Sequence, residues 1–286
     1  MHVRRKVSTT VFTNGTVIAM GNLLDDLRAD LTAESEAVVS VLDGLDEFGW
    51  NTPTASVPWT VKDQVSHLAW NDDATIRALS DPEGFVAAKP ATLGGIQQMV
   101  DKVIVDHHDM AGSDLLSWFR KARSGLLDAT AGLEAKMRMP WYGPEMSVAS
   151  KLTARFMETW AHGYDIFEAL GGEHSRSDRV RHVVFLGLQA IPNTFATHGR
   201  PTPDRPVRLE VTAPSGEVWN IGNAAADNVV RGDAYELALV VTQRCHPADT
   251  TLRSEGPVAT EWLRIAQAFA GPSGSGREPG SRRRAT

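Results

Sequence analysis

Cysteine is nearly absent: Cys245 stands alone among 286 residues. A single cysteine excludes an intrachain disulfide framework and points to a reducing compartment, so a cytoplasmic location is expected. It also excludes any Cys-x-x-Cys pair, and with it a cysteine-built zinc knuckle. No run comes near the ~20 apolar residues that a membrane helix requires, so no membrane partner is expected. Positive charge is in deficit, with 29 Lys and Arg against 35 Asp and Glu and a formal net charge of −6. Phosphate backbones are held by clustered cations, so nucleic acid is not the expected partner either. The short Arg282-Arg283-Arg284 run does not alter that. Residues 1–19 include Arg4-Arg5-Lys6, but Thr9, Thr10, Thr13, Asn14, Gly15 and Thr16 interrupt the apolar residues after that basic run. No continuous apolar core of a secretory signal forms. A disordered leader is expected there, with Met20 as an alternative start.

What is present is the composition of a soluble globular chain, 42% hydrophobic and 22% charged, long enough for one large domain or two ordinary ones. Leu23, Leu27, Leu31, Val38, Leu42 and Leu45 recur at helical spacing and predict a first helix ending near Gly49. Thr60, with Asp63 three residues on, is a near relative of a capping box and predicts a second helix to about Leu79. Further helices are expected from Leu93 to His107, Ser113 to Leu133, Ser147 or Ser150 to Leu170, and Ser177 to about Phe195. Gly171-Gly172 closes the fifth of these.

The Pro-rich stretch Gly199-Arg200-Pro201-Thr202-Pro203 marks a domain boundary. Beyond it, Val207 to Val211 and Glu217 to Ile221 alternate as strands, Tyr235 to Thr242 reads as a third strand, and Pro257 to Phe269 as a helix. The expected fold is mainly α with a C-terminal α+β lobe. Its parts are a disordered leader over 1–19, a helical bundle domain over 20–200, an α+β domain over 201–270 and a disordered tail over 271–286.

Chemistry concentrates in two segments. Glu158 and His162 lie four residues apart, on one face of a helix. Such a pair is common at surfaces, but Phe156, Met157, Trp160 and Ala161 place this one among apolar neighbours, where a carboxylate needs a stabilising partner. His67 sits within the second helical pattern, beside Leu68. Alone it reads as a core histidine; if its helix faces the Glu158 helix, the three supply ligands to one divalent metal and leave a coordination position open. Asp165 stays near the same face, either to orient a ligand histidine or to form a surface ion pair. Trp141 and Tyr142, in a turn-rich loop, either line the pocket mouth or simply pack. His107-His108-Asp109 reads as a solvated helix end, because adjacent residues point different ways. Arg77 and Arg155 read as surface ion pairs, with a substrate carboxylate as the alternative. Cys245 reads as a small buried residue.

The Trp59 to Trp70 and Glu158 to Asp165 segments, with the helical span around them, resemble the N-terminal domain of mycothiol-dependent maleylpyruvate isomerases. That group lies within the damage-inducible superfamily of metal-binding four-helix bundles. The Met139 to Met146 loop, the Glu-Thr-Trp-Ala-His-Gly-Tyr-Asp run and the ending Glu261 to Gly271 are similar to an uncharacterised metal-binding, wyosine-base-formation-domain branch. The resemblance spans about residues 20–273 in motif order. It implies a metal-binding four-helix-bundle domain followed by a small sheet-and-helix domain. It also implies one divalent metal, zinc by ligand type, held by His67, Glu158 and His162.

Three functions are compatible with these readings. The leading one is a metal-dependent enzyme that uses a low-molecular-weight thiol such as mycothiol, with a small electrophilic substrate, for S-transfer or isomerisation. The alternatives are a metal-water hydrolase, for which no separate general base is evident, and a non-catalytic, metal-stabilised small-ligand-binding protein.

Overall fold

The computed structural model describes residues 23–281; the leader expected over 1–19 and the Arg282-Arg283-Arg284 run lie outside the described residues. Helix α1 (Leu23–Leu42) buries Leu24, Leu27, Leu31, Val38 and Leu42 along one stripe, as an amphipathic helix must. It ends earlier than its apolar spacing predicts. Gly44 adopts φ 82°, a left-handed conformation that breaks the helix, and a separate short α2 (Glu47–Trp50) comes next, capped by Asp46.

Helix α3 (Val61–Ser80) starts where the capping signal places it: the Asp63 carboxylate accepts from the Thr60 N–H at 2.8 Å and from its hydroxyl at 2.9 Å. Helix α4 (Pro82–Ala88) is unanticipated; Asp81 accepts from Gly84 N and proline occupies the first turn, where its missing N–H costs nothing. Helices α5 (Leu93–His107) and α6 (Gly112–Ala129) come after it. A two-residue hairpin, β1 (Arg138–Met139) with β2 (Met146–Ser147), leads into α7 (Val148–Ala169), which is capped by the Ser147 hydroxyl. The long helices pack against one another, α3 on α6 and α7, and α1 on α7 and α6.

The helix expected over Ser177 to Phe195 is divided. A 3-10 turn (Asp178–Val180) precedes α8 (Arg181–Gln189), and Pro192 stands in the first turn of a new helix, α9 (Ile191–Thr197). Strands β3 (Val207–Thr212) and β4 (Val218–Ile221) match their alternating sequences. Between β5 (Asn228–Asp233) and β6 (Arg253–Glu255) lies α10 (Ala234–Val241). α11 (Pro257–Ile265) is the last helix among the described residues. The expected third strand is therefore a helix. A short, largely apolar run cannot be told from a buried helix by periodicity, and Asp233 decides the matter by capping Glu236 N.

The sheet order is β4-β3-β5-β6, with β3 and β5 parallel and both outer pairs antiparallel. One apolar cluster runs from Leu27 and Leu31 through Phe156 and Trp160 to Leu209, Val230 and Trp262, so the lobe and the long helices share a core. α8 crosses α10 closely at Gly187, where a Cβ would fall 2.8 Å from Val241.

Within the helices lies a buried ionic knot. Asp72 is fully buried and receives Arg123 Nε at 2.7 Å and Arg155 Nε at 2.8 Å. Arg123 also reaches the Ser35 hydroxyl and Thr159 Oγ1, and Arg155 donates to the Leu68 carbonyl at 3.0 Å. Replacing Asp72 leaves the buried Arg123 guanidinium without its counter-charge and Arg155 with Glu158 alone. Asp72→Ala is therefore expected to lower unfolding free energy by about 3–5 kcal/mol in denaturant melts. A loss under about 1 kcal/mol would mean that the arginines find solvent or another acid.

Candidate metal centre

His67 comes from α3, Glu158 and His162 from successive turns of α7, and the packing of those helices brings all three together. One ligand atom from each lies within 4.8 Å of the others. His67 Nε2 is 3.1 Å from Glu158 Oε2, and His162 Nε2 is 3.8 Å from the same oxygen. Donors about 2.0–2.2 Å from a tetrahedral zinc stand roughly 3.3–3.6 Å apart, so the two histidine-to-carboxylate distances bracket that range. His67 Nδ1 is buried without a partner, so the protein's own hydrogen bonds do not use both nitrogens of that ring.

Glu158 and His162 are held in the protonation states a cation needs. Burial alone would push the Glu158 carboxyl up; the hydrogen bond and charge of His67, with Arg155 and His162, outweigh it and hold the group well below the usual carboxylate range. His162 is held well below 6.5, first by burial, then by the like charges of His67, Arg244 and Arg155, against the opposing pull of Glu158. A neutral imidazole and an ionised carboxylate are the forms that ligate.

The supporting residues were largely invisible in the sequence. Gln64 Oε1 accepts from His162 Nδ1, which leaves the lone pair on Nε2, and Gln64 Nε2 is itself anchored to Thr54 Oγ1 at 2.9 Å. That is how a histidine ligand is oriented from behind. The only signal was that Gln64 precedes His67 by three positions on α3. Trp59 covers both rings, stacked on His162 at 5.7 Å and tilted on His67 at 5.1 Å. Arg155, read as a surface ion pair, is instead buried, with Nη1 3.4 Å from Glu158 Oε2.

Other expectations resolve differently. Asp165 reaches neither histidine and is not at the surface. It is fully buried, taking the Ser56 hydroxyl at 2.8 Å and Arg244 Nη2 at 2.6 Å, with Arg277 3.6 Å away. The positive charge located after α10 and α11 in the chain consumes it. Arg277, in the stretch composition marks as a disordered tail, also pairs with Glu168 at 2.8 Å. Trp141 packs on Phe85 and lies under the Lys151 ammonium, while Tyr142 stacks on Trp70. His107 folds back on the Val103 carbonyl and stacks on Trp118. Cys245 is buried, as expected.

Residues 31–167 match the family model described as the mycothiol maleylpyruvate isomerase N-terminal domain. The chain belongs to that family. Uncharacterised proteins from two strains of Mycobacterium tuberculosis are 34% identical over 249 residues, covering 87% of this chain and 97% of theirs. Crystal structures of the mycothiol-dependent maleylpyruvate isomerase and of a histidine-to-alanine mutant of it share the fold, with TM-score 0.57 and 15% identity over 82% of this chain and 95% of theirs. Among the described residues no helix is long and apolar enough to cross a membrane.

The cluster makes metal-free stability depend on pH. His162 binds its proton less readily folded than unfolded, so folding loses stability as pH falls below 6.5; Glu158 adds a further loss as pH falls below 4.5. Thermal melts of chelator-treated protein should show a midpoint that drops from pH 7 to pH 5, and His162→Gln should flatten that drop. An unchanged slope in the variant would mean that His162 is not held neutral.

Lys151 lies on the same face of α7, two turns before Glu158. It is buried, and desolvation, with the charge of Arg155, pushes its ammonium well below 10.5. Lys151→Met is expected to raise the melting midpoint at pH 7 and shrink the gain in stability between pH 7 and pH 10. A lowered midpoint would show that the contact with Trp141 outweighs desolvation.

Proposed function

We propose that this protein is a metal-dependent enzyme that works with a low-molecular-weight thiol, mycothiol, on a small electrophilic substrate, for S-transfer or isomerisation in the cytoplasm. The observation that carries the reading is the convergence of His67, Glu158 and His162 from two helices, with Glu158 and His162 in ligating protonation states. The thiol comes from family membership and from the mycothiol dependence named for the isomerase of like fold.

Two imidazole nitrogens and one carboxylate oxygen suit zinc or a similar divalent ion, and three protein ligands leave a position for a small molecule. A bound divalent ion supplies the charge that favours a thiolate over a thiol at neutral pH. The chain's own residues do the rest. Gln64 fixes the His162 tautomer, and Arg155 keeps Glu158 ionised and aligned. Trp59 shields the imidazoles from water. Arg244, from the turn after α10, brings positive charge of the C-terminal lobe close enough to His162 to oppose its protonation. In that position it also favours an anionic sulfur or substrate group.

Elemental analysis of the purified chain should find about one divalent ion per molecule, lost in His67→Ala and in His162→Ala. Calorimetry with mycothiol should then show binding to the metal-loaded protein that chelation abolishes. Full metal content in both variants would overturn the ligand assignment. Metal without chelator-sensitive thiol binding would overturn the thiol role and leave a metal-stabilised binding protein.

A further inference from the structure

A second cavity site lies beside the cluster and shares none of its ligands. A space of about 260 Å³ opens between α3, α4, α5 and the β1–β2 loop, lined by Trp70, Asp73, Arg77, Phe85, Lys89 and Tyr142. Trp70 and Tyr142 lie nearly parallel, 10° apart with centroids at 5.8 Å, and Phe85 tilts against Tyr142 at 5.0 Å. Together they make an aromatic wall. Ligand pockets commonly run from about 300 to 1,000 Å³, so this one has room for little more than a single ring.

The polar groups give the cavity a charge preference. Arg77 donates to the Gly84 carbonyl at 3.5 Å, and Lys89 donates to the Trp141 carbonyl at 3.2 Å. Among the described residues neither has a carboxylate at ion-pair distance, although both line the same space. Asp73 is engaged by the Trp118 indole N–H at 2.7 Å. Two cations against one acid leave a net charge of +1, which suits a monoanion. A guanidinium fork and an ammonium are the usual donors to a carboxylate, and flat rings stack on aromatic walls.

We propose that this cavity binds a small aromatic carboxylic acid, with its ring against Trp70, Tyr142 and Phe85 and its carboxylate drawn to Arg77 and Lys89. Trp70 is the link to the metal cluster. Its ring lies 6.3 Å from that of His67 and also lines the cavity. The two sites are neighbours with different contacts, and binding at one does not require an ion at the other.

Benzoate is the probe, titrated calorimetrically into the full chain with and without chelator, with benzamide as the neutral isostere. Saturable benzoate binding is expected in both conditions and in His162→Ala. It should weaken by about tenfold or more in Arg77→Ala and in Lys89→Ala, as loss of a charge-assisted hydrogen bond predicts. Benzamide should bind more weakly by a similar factor. Arg77 is exposed and Lys89 half-buried, so these variants should keep the parent melting midpoint, and unchanged melts tie lost binding to the site. Absence of saturable benzoate binding overturns the proposal. So does binding that survives both substitutions, and so does binding that disappears in His162→Ala while persisting in Arg77→Ala, which would move the acid to the metal cluster.

Discussion

Asp72 is the charge on which this arrangement depends. It is fully buried on the central helix and holds two buried arginines, one from α6 and one from α7. A lone ion in that position would be prohibitively costly; one carboxylate shared by two guanidinium groups, each with further oxygen acceptors, is not. Arg123 extends the knot to Ser35 on α1 and Thr159 on α7. Four helices are thereby held in one register by directional bonds, on top of apolar packing that would tolerate sliding.

That register matters because Arg155 serves the ionic knot and the metal centre together. Its Nε is bound to Asp72, its Nη2 to the Leu68 carbonyl next to His67, and its Nη1 to Glu158. A shift of α7 along α3 would break the knot and separate His67 from its partners in the same movement. The rigidity of the candidate centre is thus inherited from a salt-bridged core, and Gln64 and Trp59 refine it by fixing the tautomer and limiting water.

Much of this was legible beforehand, for identifiable reasons. The Thr60/Asp63 and Ser147 caps and the terminal Gly171 are local signals, and the helices they bound conform to them closely. Glu158 and His162 were readable because four residues on a helix make one face. Elements were misread where the decisive influence was not periodic. Tyr235 to Thr242 is apolar except at Glu236 and Thr242, so only its cap and its place against α8 make it a helix. The break at Pro192 and the turn at Gly44 are single-residue events inside otherwise helical spacing.

The sequence by itself determined the helical character of the chain, the lack of an intrachain disulfide, and the identity of the candidate donor residues, because composition, caps and i,i+4 spacing are local properties. Only tertiary structure decided that His67 meets Glu158, that Asp165 serves Arg244 rather than a histidine, and that Arg155 is buried. Each of those outcomes depends on which faces of α3, α7 and the C-terminal lobe are pressed together. Pairings between residues 79 to 91 positions apart leave no trace in local spacing; they emerge when the buried charges must all find partners at once.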